Sequence, residues 1–248
     1  MHAIPQTAFD KIAPQYDALW SDTPIGQTQR SAVWDRIDLL YKKGDFVLDL
    51  GCGTGVDALH LQSRGVSVYG IDSSNRMVEI ARTRGVDAHC CPIEHLEYFD
   101  LRLDGAMSNF GALNCLGSLD TICASLARMV RRAGFIALCF LNRVCIWEMA
   151  FYLSRTNPAK AFRRLKSSAA SSIGVSVFYP SKASIVSAFQ KSFRLLNSYG
   201  IGLSVPPSYV KCLTGWELQQ LSAFDRHAAH RPVFRALADH RLYIFERI

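Results

Sequence analysis

The run Val47-Leu-Asp-Leu-Gly-Cys-Gly-Thr-Gly55 joins a strand-forming apolar segment to glycines at 51, 53 and 55. Glycine turns tightly and lets a ligand touch the main chain, and a helix starting beyond it offers unpaired N–H groups. Asp72 closes the next apolar run, roughly 20 residues on, where a carboxylate can accept both hydroxyls of a ribose. These types and spacings point to a nucleoside-containing ligand. Gly53-Thr-Gly-Val-Asp-Ala58 also satisfies the dinucleotide fingerprint, so a nicotinamide (NAD)-dependent oxidoreductase is the serious competitor. Asp49 argues against it. A carboxylate just before the first glycine would repel a pyrophosphate but suits an ammonium or a sulfonium. Nor does a catalytic dehydrogenase domain follow. A catalytically silent cofactor-binding module would share the same features.

The elements that position these residues alternate. Phe46 to Leu50 reads as a buried strand, followed by the glycine loop and a helix through Gln62 that stops at Gly65. Val66 to Ile71 is a second strand, then comes a helix from about Asn75 to Arg84, stopped by Gly85. Val86 to Cys90, Gly105 to Ser108 and Phe135 to Leu141 are further strands. Leu119 to Arg131 has helical spacing, with Arg131 and Arg132 at the end where cations suit the helix dipole. Phe193 to Tyr199 and His240 to Arg247 look like two final strands. Such alternation predicts an α/β fold with a parallel, doubly wound sheet, right-handed crossovers, and ligands at the carboxyl ends of the strands.

Two stretches break the rhythm. Residues 143–175 carry six Lys/Arg against one acid, with Trp147, Phe151, Tyr152 and Phe162 interleaved. Residues 201–238 begin with GLSVPPSY and continue as a helical pattern containing Trp216 and Phe224. Following the fifth and sixth strands, both are expected to be helical substrate-lid insertions. The basic-aromatic stretch is read as a solvated helix face, a docking surface for an acidic or membrane-embedded substrate, or a nucleic-acid contact. The last is disfavoured, because no long Lys/Arg stripe is present.

The 248 residues are expected to form a single domain, 1–248, with an N-terminal helical cap over 1–44. Hydrophobic residues at 49% and a mean hydropathy of +0.07 exclude a mainly disordered chain. The net charge of +7 is mild. No uncharged run reaches the ~18 residues of a membrane span. The start, MHAIPQTAFDKIAPQYD, lacks a basic segment followed by an apolar one, so a cytoplasmic protein is expected. The eight cysteines form no CxxC pair and are expected to be buried thiols.

VLDLGCGTG, followed by YGIDSS at 69–74, resembles the class I S-adenosylmethionine-dependent methyltransferases. FDKIAPQYDALW (9–20) is similar to the helix that covers the cofactor in small-molecule members. SNFGALNCL (108–116) resembles the segment after strand four, and RRAGF (131–135) the turn before strand five. The resemblance implies a doubly wound, mostly parallel seven-stranded sheet whose last strand is antiparallel. It implies S-adenosyl-L-methionine as cofactor, with Asp49 and the backbone of Gly51, Cys52 and Gly53 at its methionine end and Arg30 on its carboxylate. Asp72 would take the ribose hydroxyls, Ser73 and Met77 would flank the adenine, and Ile93 and Glu94 would lie at its edge. Asn109 and Phe110 would lie near the sulfonium. Pro92 stands where the family often has an Asp that accepts from the adenine amino group.

Methyl transfer from a sulfonium needs an aligned nucleophile and the exclusion of water. A base is needed only where the nucleophile loses a proton. Candidates are Tyr16, His95 and His227, of which none stands out; His95 fits an exposed loop equally well. His227 and His230 have metal-ligand spacing but no third ligand, so no metal is expected. Tyr16, Asn114 and Tyr209 are the candidate substrate contacts. The reading is methyl transfer to oxygen or nitrogen of a small organic molecule, apolar or acidic. No nucleic-acid partner is expected, since an Asn/Asp-Pro-Pro-Tyr tetrad after strand four is missing; contact with a membrane surface stays open.

Overall fold

The computed structural model describes residues 7–171, 173–210, 213 and 215–248. Cys212 therefore lies outside the described residues.

An N-terminal segment comes first: α1 (Ala8–Ile12), a tight 3-10 turn (Ala13–Gln15), a wider π turn (Asp17–Ser21), and α2 (Pro24–Ile37). α1 is short and held from both ends. Thr7 caps it in a reciprocal box with Asp10. The second Asp10 oxygen accepts from Ser74 Oγ at 2.7 Å and from the Arg76 amide at 3.1 Å. Asp17 repeats the device, accepting from Thr54 Oγ1 at 2.7 Å and pairing with Arg84 at 2.6 Å. The cap is thus latched onto the glycine loop and the helix after the second strand.

The sheet follows as β1 (Phe46–Leu50), α3 (Val56–Ser63), β2 (Ser67–Asp72), α4 (Asn75–Thr83), β3 (Asp87–Cys90), β4 (Leu103–Ser108), α5 (Asp120–Met129) and β5 (Val130–Leu141). Next come α6 (Ile146–Leu153), α7 (Pro158–Ala161), a hairpin of β6 (Ser168–Ala170) and β7 (Ser176–Phe178), and α8 (Lys182–Phe189). β8 (Phe193–Ile201), α9 (Gly215–Ala228), α10 (Pro232–Leu237) and β9 (His240–Arg247) complete the order. The seven strands lie in the order β3-β2-β1-β4-β5-β9-β8, and only β9 runs antiparallel to its neighbours. The expected sheet is present.

Alternation along each strand builds two cores. Tyr243 and Phe245 face one side with Leu48, Leu50, Phe140, α5 and α8; Leu242 and Ile244 face the other with Val47, Met107, α2, α3 and α4. Both faces are covered, which is why the strands read as continuous apolar runs.

Three expectations need correction. Arg131 and Arg132 do not end a helix: α5 stops at Met129, β5 starts at Val130, and Arg131 Nε binds Asp104 Oδ1 at 2.6 Å on the adjacent strand. Ala133 takes a positive φ of 58°, a break that periodicity could not reveal. The insertion after β5 is not wholly helical, since it contains the β6–β7 hairpin, and α8 packs into the main core. Most of 201–238 lies away from the strand ends. Leu218 of α9 packs with Ile25 of α2 and Val205.

Cys52, Cys123, Cys139 and Cys145 are buried, Cys90, Cys91 and Cys115 are partly so, and all seven are free thiols. Among the described residues no helix is long and apolar enough to cross a membrane.

Candidate active site

The carboxyl ends of β1, β2 and β4 open into a cavity of about 230 Å³. Gly51, Gly53, Asp72, Ser73, Met77, Ile93, Glu94, Asn109 and Phe110 line it, joined by Pro92. The sequence-derived positions thus converge. At Gly51 (φ +74°) a Cβ would stand 2.3 Å from the Cβ of Ala112, so the loop can approach its neighbour only as glycine.

The amides of Gly51, Cys52 and Gly53 are already paired within the protein. The N–H groups of Gly51 and Cys52 both donate to the Ile71 carbonyl, at 2.8 and 2.9 Å, and Gly53 N–H donates to Asp72 Oδ2 at 2.9 Å. Cys52 is buried, its sulfur turned toward Gly70, and does not line the cavity. The loop therefore offers close approach and shape, not free donors.

Asp72 is held by two amides, Gly53 on one oxygen and Ser74 on the other at 2.8 Å. Each oxygen keeps a lone pair for a hydroxyl. Burial pushes this carboxyl above its ordinary value, partly offset by the two amides. Asp49 is 2% exposed, and its Oδ2 has no hydrogen-bond partner. Burial, and then the charge of Asp57, push its carboxyl well above the usual range. A buried, unpartnered carboxylate is costly, and a cationic group placed beside it would remove the cost. With Asp49, Asp57 and Asp72 around the loop and Arg30 beside them, the carboxylates favour an ammonium or sulfonium over a diphosphate.

Arg30 pairs with Asp57, which also accepts from Trp34 Nε1 at 2.7 Å and Asn109 Nδ2 at 3.2 Å. Its guanidinium lies 5.0 Å from the centre of the Phe110 ring. It lines not the first cavity but a second, of about 320 Å³, beside it. Phe110 takes a left-handed φ of 47°, a strained backbone at the boundary between the two cavities. Phe9, Tyr16, Phe110, Gly111 and Cys115 line both.

The second cavity is walled by Trp20 and Ile12 of the cap, Val175, Val177 and Tyr179 of the hairpin region, Pro207 to Tyr209, and His240. Tyr209 Oη donates to Glu148 at 3.0 Å. Glu148 is buried between Arg163 (2.8 Å) and Arg164 (2.8 Å), and Arg164 also binds Asp239 at 2.8 Å. This charge cluster ties the insertion after β5 to the start of β9.

Several candidates lie elsewhere. Asn114 is fully buried and not a substrate contact: its Nδ2 donates to the Phe178 carbonyl at 2.7 Å and its Oδ1 accepts from the Leu141 amide at 2.9 Å. His95 is exposed, edge-on to Tyr98 and outside both cavities, and His227 is exposed on α9. Neither is placed to move a proton there. Among aromatics of the two insertions, Trp147, Tyr152, Phe162 and Trp216 line neither cavity, while Tyr209 lines the second. No group of three metal-ligating side chains occurs among the described residues.

His240 was missed by sequence reasoning. It is 7% exposed, lines the second cavity, and meets Phe110 edge to face at 5.2 Å. A signal was available. An antiparallel last strand begins at the edge where the parallel strands end, so its first residue sits on the ligand side.

A family model described as "Methyltransferase domain" matches residues 47–134. A demethylmenaquinone methyltransferase of Paenarthrobacter aurescens is 29% identical over 163 residues, 62% of this chain and 63% of that protein. A 2-phytyl-1,4-naphtoquinone methyltransferase of Trichormus variabilis is 33% identical over 120 residues, 43% of this chain and 51% of that protein. The chain thus spans less than two thirds of the length of these curated relatives. Among solved structures, an S-adenosylmethionine-dependent methyltransferase of Mesorhizobium loti superposes with a TM-score of 0.58 at 14% identity, covering 87% of this chain and 98% of that one.

Proposed function

Because this chain has the Rossmann-like fold of the class I S-adenosylmethionine-dependent methyltransferases, we propose that it moves a methyl group from that cofactor to a small, apolar, ring-bearing acceptor. One observation carries the reading: a cavity at the strand ends lined by Asp72 and Glu94 shares a wall with a second, mostly apolar cavity.

The bound cofactor supplies a methyl group already activated by the sulfonium charge. Asp72 holds the ribose, and Ser73, Met77, Ile93 and Glu94 enclose the adenine by shape. Asp49 neutralises the amino-acid end, while Phe110 and Asn109 form the wall beside the methyl group. Arg30, locked by Asp57, serves that wall and the acceptor side. Tyr16 and Tyr209 close the acceptor cavity and keep water out, which strengthens alignment and desolvation, the main sources of rate here. The cap, the hairpin and Pro207–Tyr209 act as the lid.

Transfer to oxygen or nitrogen, read from the sequence, and transfer to a quinone-type ring, suggested by the names of the relatives, both place a planar acceptor in this cavity. The test has two steps. Calorimetry should show S-adenosylhomocysteine binding far more tightly than NAD; equal affinities would return the oxidoreductase reading. Mass spectrometry of cell extract incubated with methyl-labelled cofactor then identifies the acceptor and its methylated atom. Tight cofactor binding with no labelled product would mark a silent module.

A further inference from the structure

The second cavity holds a titratable group that the proposed function does not yet use. His240 opens β9 on its wall, and Nδ1 is the buried nitrogen, 3.4 Å from Asp239 Oδ2 and without a hydrogen-bond partner. The carboxylate beside Nδ1 favours the tautomer with the proton there. Nε2 is then unprotonated and on the cavity side. Asp239 does not move freely, because Arg164 holds its other oxygen at 2.8 Å and its carbonyl at 3.0 Å. A carboxylate, an imidazole and the second cavity thus adjoin one another.

We propose that His240 is the general base of methyl transfer, taking the hydroxyl proton of a phenolic acceptor, with Asp239 as its positioning residue. The assignment rests on the methyltransferase reading above and adds the class of acceptor. In the step, the acceptor O–H bond breaks and its proton goes to His240 Nε2. The oxygen lone pair forms the new O–C bond while the methyl–sulfur bond breaks, and the electron pair of that bond neutralises the sulfonium. Nothing is oxidised or reduced. The imidazolium, stabilised by Asp239, returns the proton to solvent. An amine would need no such base, since it attacks with its own lone pair and loses the proton afterwards.

The groups facing His240 are consistent with a neutral resting imidazole. Asp239 lies beside it, Arg163 and Arg164 come from the insertion after β5, Arg30 from α2, and Tyr16, Tyr179 and Tyr209 share the cavity. Burial lowers the His240 pKa below its ordinary 6.5; Asp239 opposes this and Arg164 adds to it. A base that is neutral at pH 7 is ready to accept.

The experiment uses the full chain with S-adenosylmethionine and a matched pair of planar probes, 1-naphthol and 1-naphthylamine. Methylated naphthol is expected, and any methylation of naphthylamine should not depend on His240. The wild-type naphthol rate should rise with pH through a pKa below 6.5. His240→Gln should lower kcat at pH 7 by about 100-fold, with KM and S-adenosylhomocysteine affinity within threefold, and the deficit should shrink at high pH as naphthol ionises unaided. A His240 that merely packs against Phe110 would leave the pH profile unchanged. The proposal is overturned if naphthol is not methylated, if its wild-type rate does not rise with pH, or if His240→Gln keeps the wild-type rate and profile. The wild-type pH profile stands as a test even if the variant does not fold. Failure of the protein to bind S-adenosylhomocysteine would instead remove the methyltransferase reading itself, and this assignment with it.

Discussion

Asp72 accepts the amide of Gly53 at 2.9 Å, so the residue placed to hold a ribose also fixes the glycine loop that the cofactor must touch. Removing the carboxylate therefore acts twice. Asp72→Ala is expected to weaken S-adenosylhomocysteine binding by about 2–3 kcal/mol, from lost charge-assisted bonds to two hydroxyls. It also strips the Gly53 and Ser74 amides of their acceptor. Asp72→Asn, which keeps an acceptor oxygen, should lose less in both affinity and melting temperature. Calorimetry on folded Asp72→Ala that returned wild-type affinity would sink the assignment.

Gly51→Ala tests whether close approach is the loop's contribution. The added methyl would stand 2.3 Å from the Ala112 Cβ, at a φ of +74° that L-residues rarely adopt. Strain of about 1–3 kcal/mol is expected. The first cavity should narrow, so S-adenosylhomocysteine affinity should fall by more than about tenfold, since the strained loop and Ala112 both line it. Unchanged affinity and melting temperature together would show that the loop has slack.

Tyr209→Ala opens the acceptor cavity without touching the nucleoside one. The Michaelis constant for the acceptor should rise, or turnover fall, while cofactor affinity stays within about threefold. Tyr209→Phe separates ring from hydroxyl, because it keeps the wall but deprives Glu148 of a donor at 3.0 Å. Near-normal acceptor kinetics are expected for Tyr209→Phe. Loss of cofactor binding in a folded Tyr209→Ala protein would contradict the division of the two cavities.

The buried cluster of Glu148, Arg163, Arg164 and Asp239 gives the fold an acid limit. For Glu148, burial works against ionisation, but the Arg163 hydrogen bond and the Arg164 charge outweigh it, so its carboxyl sits below the ordinary 4.5. A folded-state value below the unfolded one stabilises the fold above the unfolded pKa, and that contribution is lost as pH falls through the folded one. Melting temperature should drop below about pH 4.5, and Glu148→Gln should flatten that dependence. At pH 7, Arg164→Met strands the buried Asp239 carboxylate, while Glu148 keeps Arg163 and Tyr209, and should cost about 3–5 kcal/mol. Denaturant melts across pH measure both effects; a pH-independent difference between wild type and Glu148→Gln would refute the linkage.

The nucleoside half was legible because its chemistry is local. Gly51, Gly53 and Asp72 sit in short runs whose spacing fixes their geometry, and they meet as read. The acceptor half was misread where contact depends on long-range packing. Asn114 and Tyr209 look alike in sequence, as polar or aromatic side chains in loops near strand ends. One was drawn inward to satisfy the Phe178 and Leu141 backbone, and the other was left on the wall. Arg131 looked like a helix end because the positive φ at Ala133 and the pull of Asp104 carry no periodicity. His240 was passed over as part of a strand, although that strand's direction was anticipated and alone would have placed it.

β9 lies between β5 and β8 and follows both in the chain. During synthesis, then, every lining residue of the nucleoside cavity has been made by Leu116, while the acceptor cavity waits for Asp239 and His240. Until β9 arrives, β5 presents a bare apolar edge to the crowded cell, the kind of edge that invites wrong pairing. The residues that line the first cavity thus precede in the chain those that complete the second. The strand that finishes the second cavity is also the one that covers the edge of β5.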